Sequence, residues 1–323
     1  MEIQLWGQER LDFLRRFLPY EPGIPSHDTL GDVLAALDPD QFKHCFTTWV
    51  ESLRDDAAKI IAIDGKTSRR SHARSKGREP LHLVSGWASR QRLVLAQEAV
   101  ADKSNEIVAI PLLLQRLELT GALVTIDAIG TQIEIARTIT RRGGDYLLAL
   151  KASWPMSRCS SPTPETRPTA TFTPQSMPIT DHGRLEERQH RVCQRIDWLR
   201  SDRRYPDERR FPALTTIAMV QATTERNGKI SEERRYYLSS AWLDAKAFAG
   251  AVRAHWGIDV VIHDDPARLR TGNAPQNMAI VKHIAMNLIR HPKDKHSLKN
   301  RRTLAVLNNE YLESLIRNQP AST

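Results

Sequence analysis

An α/β fold, a mixed sheet with helices on its faces, is the architecture predicted by this 323-residue chain. Three observations lead to it. Two short apolar runs, Ile60-Ile61-Ala62-Ile63 and Leu123-Val124-Thr125-Ile126, read as buried strands, and each is followed at once by an acid, Asp64 and Asp127. The pattern from the first run onward is strand, strand, strand, helix, strand, helix, strand, so hairpins come first and crossover helices later. The composition is that of a globular chain, 40% hydrophobic and 26% charged.

Residues 5–55 read as short helices. Trp6, Leu11, Phe13, Leu14, Phe17 and Leu18 supply apolar surface, and the stretch from Pro19 to Pro25 breaks the run. Ser26 and Asp28 are caps for a helix carrying Leu30, Val33, Leu34 and Leu37. Asp38-Pro39 opens the next, with Phe42, Phe46, Trp49, Val50 and Leu53 at helical spacing. Packing is the expected role of these helices, ahead of DNA binding.

The first acid-bearing strand leads into Lys66 and a basic loop, Thr67 to Arg78, with Arg69 and Arg70 among its cations. Phosphate contact and plain solvation are both open there. A hairpin over 81–88 and 92–100 follows. A helix capped by Ser104-Asn105 then runs to about Leu119, with Pro111 inside it, and Gly121 ends it. The second acid-bearing strand comes next, then a helix over 131–142 closed by Gly143-Gly144, and a strand over 145–150.

Residues 152–180 are rich in Pro, Ser and Thr, keep no period, and are expected to be disordered or irregular. Strands are predicted over 184–195, 214–221 and 234–238, the last two linked by the hairpin signal Arg226-Asn227-Gly228-Lys229. Helices over 244–256, 274–289 and 304–316 complete the chain.

A carboxylate at the end of a core strand is poorly explained by packing, because a buried charge is costly unless paired or metal-bound. Two strands each delivering an Asp suit a divalent-metal site for phosphoryl chemistry. For either strand alone the plain alternative, an Asp opening a turn, stays open. Net charge is +9, which suggests a polyanionic partner, most simply nucleic acid. The three cysteines are far apart and form no CxxC pair, which gives no zinc or disulfide framework and fits a cytoplasmic protein. No apolar run approaches a membrane span, and no signal peptide is read at the N-terminus. A cluster of His255, His263, Asp264 and Asp265 has no standard metal spacing.

Several runs, in this order, closely resemble the H-repeat-associated insertion-sequence transposases, a group of DDE transposases. They include Gly23-Ile24-Pro25-Ser26-His27-Asp28, Ile63-Asp64-Gly65-Lys66-Thr67, Leu81-His82-Leu83-Val84-Ser85 and Lys103-Ser104-Asn105-Glu106-Ile107. Further on come Val124-Thr125-Ile126-Asp127-Ala128, Asp145-Tyr146-Leu147-Leu148-Ala149-Leu150-Lys151, Asp181-His182-Gly183-Arg184, His255-Trp256-Gly257-Ile258 and Gly272-Asn273-Ala274-Pro275. The resemblance implies an RNase H-like domain that holds Mg²⁺ (or Mn²⁺) with two Asp and one Glu, and cleaves and transfers DNA strands. It puts Asp64 and Asp127 on the two Asp positions, and it implies DNA and a homodimer on DNA as partners at the bacterial nucleoid. Arg253, Arg268 and Arg270, with Lys66, Arg69 and Arg70, are the expected DNA contacts.

Three departures qualify it. After His-Trp-Gly-Ile the family continues with Glu-Asn and a further short stretch, whereas here Ile258 is followed by Asp259-Val260-Val261. The simplest alignment deletes the catalytic Glu, and Asp259 substitutes for it only if the gap is set after it. The family's longer N-terminal region and its ordered segment in place of 152–178 are also missing, and a local frameshift is one hypothesis for the latter. The expected organisation is a helical region over 1–56 and an RNase H-like domain over 57–323, with a β-rich insertion at 181–240 and C-terminal helices over 244–323. The chain is then either an active transposase or a catalytically dead DNA-binding remnant that regulates transposition.

Overall fold

The described residues of the computed structural model are 2–54, 56–57, 59–68, 80–100, 106–151, 179–181, 184–194, 196, 211–226, 229–261, 269–292 and 294–317. Four helices come first: α1 (Glu2–Glu9), α2 (Leu11–Leu14), α3 (His27–Ala36) and α4 (Pro39–Ser52). Ser26 caps α3 as the sequence predicts, its hydroxyl accepting from the Thr29 amide at 3.1 Å. Asp38 caps α4, accepting from the Asp40 and Gln41 amides, with Pro39 in the first turn.

The sheet strands are β1 (Ile60–Ser68), β2 (Leu81–Ala88), β3 (Leu93–Val100), β4 (Leu123–Ile126), β5 (Asp145–Ala149), β6 (Ile179–Asp181), β7 (Arg184–Cys193), β8 (Thr216–Arg226) and β9 (Lys229–Ser239). Helices α5 (Glu106–Gln115) and α6 (Ile133–Arg141) are the crossovers, and α7 (Ala245–Val261), α8 (Ala274–Arg290), α9 (Leu298–Leu307) and α10 (Asn309–Arg317) follow β9. All nine strands form one sheet in the order β3-β2-β1-β4-β5-β9-β8-β7-β6. β1, β2 and β3 pair antiparallel, while β1, β4 and β5 pair parallel. That five-strand order and sense make the fold RNase H-like. The β-rich segment extends the same sheet, because β9 pairs antiparallel with β5.

Helices cover both faces. On one, Ile61, Ile63, Val124, Ile126 and Leu148 pack with Phe46 of α4, Leu113 and Leu114 of α5 and Ile139 of α6. On the other, Leu147, Ala218, Val220 and Tyr237 pack with Phe248, Ala251 and Val252 of α7. The alternation along each strand puts odd and even residues on opposite faces.

The structure corrects several sequence boundaries. β1 does not stop at Asp64: Gly65, Lys66, Thr67 and Ser68 continue it by pairing with Val84, Leu83, His82 and Leu81 of β2. Helix α5 ends at Gln115 rather than near Leu119, α7 runs to Val261 rather than 256, and the helix predicted over 304–316 is two helices meeting at Asn308. Ile179 and Thr180 lie in β6, whereas the irregular segment was expected to reach 180; its residues 152–178 lie outside the described residues. The cap at Ser104-Asn105 and the loop 69–78 also lie outside them.

The N-terminal helices pack against the C-terminal ones. Asn277 of α8, fully buried, donates to the Leu34 and Leu37 carbonyls at 2.8 and 3.0 Å, and Arg16 pairs with Glu313 at 2.7 Å.

Candidate active site

β1 and β4 run parallel and in register, with Ile63 opposite Ile126. The next residue on each is an acid. Asp64 and Asp127 therefore leave neighbouring strands at the same end of the pair. β4 stops at Ile126, and the chain turns on Asp127, whose Oδ1 accepts from the Ile129 and Gly130 amides at 3.0 and 3.3 Å. The turn role open from sequence is thus real, but it engages one carboxylate oxygen and Oδ2 takes no part in it. Asp64 accepts from the Gly65 amide through Oδ1 at 2.9 Å, and its Oδ2 lies 3.0 Å from the Lys66 ammonium. Its side chain is 16% exposed.

Helix α7 lies over this face. Beside Ile60, the Ser89 hydroxyl donates to the Ala254 carbonyl at 3.1 Å, and the Ser89 amide donates to the Ile60 carbonyl at 3.3 Å. Three residues along the helix, Gly257 comes up against the indole Nε1 of Trp87, which is opposite Ala62 on β1. α7 therefore advances in the direction of β1, toward Asp64. His255 Nδ1 meets the Thr125 hydroxyl at 2.9 Å, and Thr125 is two residues before Asp127 on the same face. Ile258 is fully buried one turn later. Asp259 follows it in the helix, and its side chain lies outside the described residues. Trp256 carries the Arg188 guanidinium 3.7 Å from its ring centroid and that of Arg235 at 5.8 Å, which ties α7 to β7 and β9.

Of the expected DNA contacts, Lys66 is brought onto Asp64. Arg253 is exposed on α7, and Arg270 is exposed in the stretch before α8. Arg69, Arg70 and Arg268 lie outside the described residues, as do His263, Asp264 and Asp265.

Sequence reasoning missed a set of buried groups on the opposite face of β1. His82 and Glu106 are 1% and 4% exposed, and His82 Nε2 lies 2.6 Å from Glu106 Oε1. His82 Nδ1 meets the Thr67 hydroxyl at 2.8 Å. The signal was present in the family-like runs that contain these residues, but pairing Thr67 with His82 requires knowing that β1 extends past Asp64.

Two carboxylates at one strand end are an oxygen donor set of the kind hard divalent cations take. The ammonium of Lys66 beside Asp64 Oδ2 shows that the position accepts positive charge. Among the described residues, no group of three or more His, Cys, Asp or Glu side chains converges.

Residues 36–288 match the family described as transposase DDE domain, and residues 1–50 match the family described as DDE_Tnp_1-associated. The chain is 34% identical over 336 residues to "H repeat-associated putative transposase YhhI" of Escherichia coli (strain K12), covering 98% of this chain and 86% of that one. It is 42% identical over 250 residues to "Uncharacterized protein in dhlA 3'region" of Xanthobacter autotrophicus, over 74% of this chain and 80% of that one. Among solved structures, a piggyBac transposase synaptic complex with hairpin DNA is similar over 83% of this chain and 56% of that one, at 10% identity and a TM-score of 0.42.

Proposed function

Since the chain belongs to the DDE transposase family, in its H-repeat-associated group, we propose that it cuts and transfers DNA strands at the Asp64–Asp127 pair with Mg²⁺ or Mn²⁺. The register of β1 against β4 carries this: two acids more than sixty positions apart in sequence leave neighbouring parallel strands at matched positions. Asp64 and Asp127 would hold the cation. When bound, it supplies activation of a water or 3′-hydroxyl and neutralisation of charge at the scissile phosphate.

The remaining work belongs to the chain's own side chains. Lys66 keeps positive charge at Asp64, which offsets the mutual repulsion of the two carboxylates and favours an incoming phosphate. Asp127 is held in orientation by the two amides it accepts from. His255, through Thr125, seats α7 beside the pair. Asp259, next after buried Ile258 on a helix advancing toward Asp64, is the candidate third ligand. It is one methylene shorter than the family Glu, so it makes a weaker site and slower cleavage.

A second reading is favoured by the sequence after Ile258, where the family's Glu-bearing stretch is shortened. In it the chain binds DNA and leaves it intact, as a remnant or regulator of transposition.

One assay separates the two. DNA carrying the element's own ends is incubated with the protein in Mn²⁺. The first reading expects nicks that vanish in Asp64→Ala and Asp127→Ala, fall in Asp259→Ala and rise in Asp259→Glu. Retained binding with no nick from either the parent chain or Asp259→Glu establishes the second.

A further inference from the structure

We propose that Glu106, His82 and Thr67 are positioning residues for Asp64, acting through the backbone of Gly65. The proposal rests on the reading of Asp64 as a metal ligand.

The reason lies in how β1 is held. Up to Ile63 it is flanked by β2 on one side and β4 on the other. Beyond Ile63 the pairing with β4 ends, and β2 is the flanking strand that continues. The strand must nonetheless carry Asp64 past the end of the β1–β4 pairing, so its placement depends on what supports it from below. Directly under Gly65, where a β-carbon would stand, are Glu106 Oε1 at 2.5 Å, His82 Nε2 at 2.6 Å and Glu106 Cδ at 2.7 Å. A side chain at this position would have to displace Glu106 and His82 from the space under the strand.

The support is a connected chain of polar groups. Glu106 opens α5, where the helix N-terminus favours a carboxylate. His82 Nε2 stands 2.6 Å from Glu106 Oε1 as a close polar contact, and its Nδ1 shares a hydrogen bond with the Thr67 hydroxyl at 2.8 Å. Thr67 stands directly opposite His82 across the β1–β2 pair. The chain therefore grips β1 at Thr67 and bears on it at Gly65, the residue bonded to Asp64. Its members point to the face away from the carboxylate of Asp64, since Gly65 and Thr67 alternate with it. They support Asp64 without touching it, and three motifs distant in sequence meet at this one point.

Mn²⁺ binding, followed by loss of the free-ion electron paramagnetic resonance signal, tests this with the intact chain. Glu106→Ala is expected to weaken Mn²⁺ affinity at least tenfold, and Glu106→Gln, which keeps a side chain of the same length packed under Gly65, to recover most of it. Thr67→Val leaves the buried pair intact and is expected to weaken affinity about threefold, so it decides the matter if Glu106→Ala does not fold. A purely structural role would lower the melting temperature of these variants and leave Mn²⁺ affinity in the folded protein unchanged; that result overturns the proposal alone. A parent chain that binds no Mn²⁺, or binds it equally well as Asp64→Asn, overturns the metal-ligand reading and this proposal with it.

Discussion

His283 of α8 is fully buried beside Phe46, their ring centroids 6.3 Å apart. Burial, reinforced by the neighbouring Lys282 charge, pushes its pKa down from 6.5 to about 4. The folded chain holds it neutral, while the unfolded chain takes up a proton below pH 6.5. The contribution is therefore intact above pH 6.5 and is lost as pH falls from 6.5 toward 4, amounting to about 3 kcal/mol at the acid end. Urea unfolding at pH 7 and pH 4.5 should show that loss in the parent chain and a flatter profile in His283→Leu. Equal slopes in the two would show that His283 is not the group responsible. Residue-scale facts of this kind are poorly legible in sequence. His283 sits in an ordinary helical stretch, and its burial follows from α4 and α8 packing together. Asp64 and Asp127 were legible only as a pair, because an acid ending one apolar run is readily a turn residue, as Asp127 in part is, whereas two such runs point to a shared site. Glu106 and His82 were not, because one opens a helix and the other lies in a strand, and their contact is created only when α5 docks against β2 and β3.

At the scale of elements, β3 is the outer strand of the five-strand core, and an outer strand presents unpaired backbone groups. Asn287 of α8 closes part of it. Its side-chain carbonyl accepts from the Val94 amide, and its side-chain amide donates to the Val94 carbonyl, each at 2.9 Å, with both residues buried. Truncation would leave two buried backbone groups without partners, so Asn287→Ala should cost about 2–4 kcal/mol. Guanidinium unfolding of Asn287→Ala against the neighbouring exposed Ala285→Ser measures this; a cost below about 1 kcal/mol would mean that α8 does not guard the edge. The order of elements was readable from hydrophobic period and turn chemistry, because β1 through β5 are short apolar runs, the first three in succession and the last three separated by α5 and α6. Their ends were less readable. The polar run Asp-Gly-Lys-Thr-Ser looks like a loop and is held as strand by its β2 partner. The hairpin strands β8 and β9 extend to Arg226 and Lys229, past where their apolar pattern fades, because each supplies the other's backbone partners.

For the whole molecule, the excess charge of +9 and the carboxylate pair act in opposite senses on DNA. Surface cations attract the backbone from a distance, whereas Asp64 and Asp127 repel a phosphate until positive charge offsets them. Binding and cleavage should therefore separate. Replacing both acids, as Asp64→Asn with Asp127→Asn, removes two negative charges from the site and is expected to abolish any cleavage while tightening binding severalfold in the absence of divalent ions. The attraction itself is set by released counterions, so log affinity should fall linearly with log salt, with a slope near −0.9 for each phosphate neutralised. Six contacts would cost about a thousandfold between 50 and 200 mM salt. Fluorescence anisotropy on a labelled element end reads both effects. The double variant should give a parallel line displaced toward tighter binding, and Arg253→Ala a line shallower by about one contact. A double variant that binds more weakly at every salt concentration would mean that the two carboxylates organise the DNA-binding surface themselves. A slope unchanged by Arg253→Ala would remove Arg253 from that surface and leave Lys66 and Arg270 as the described cations to test.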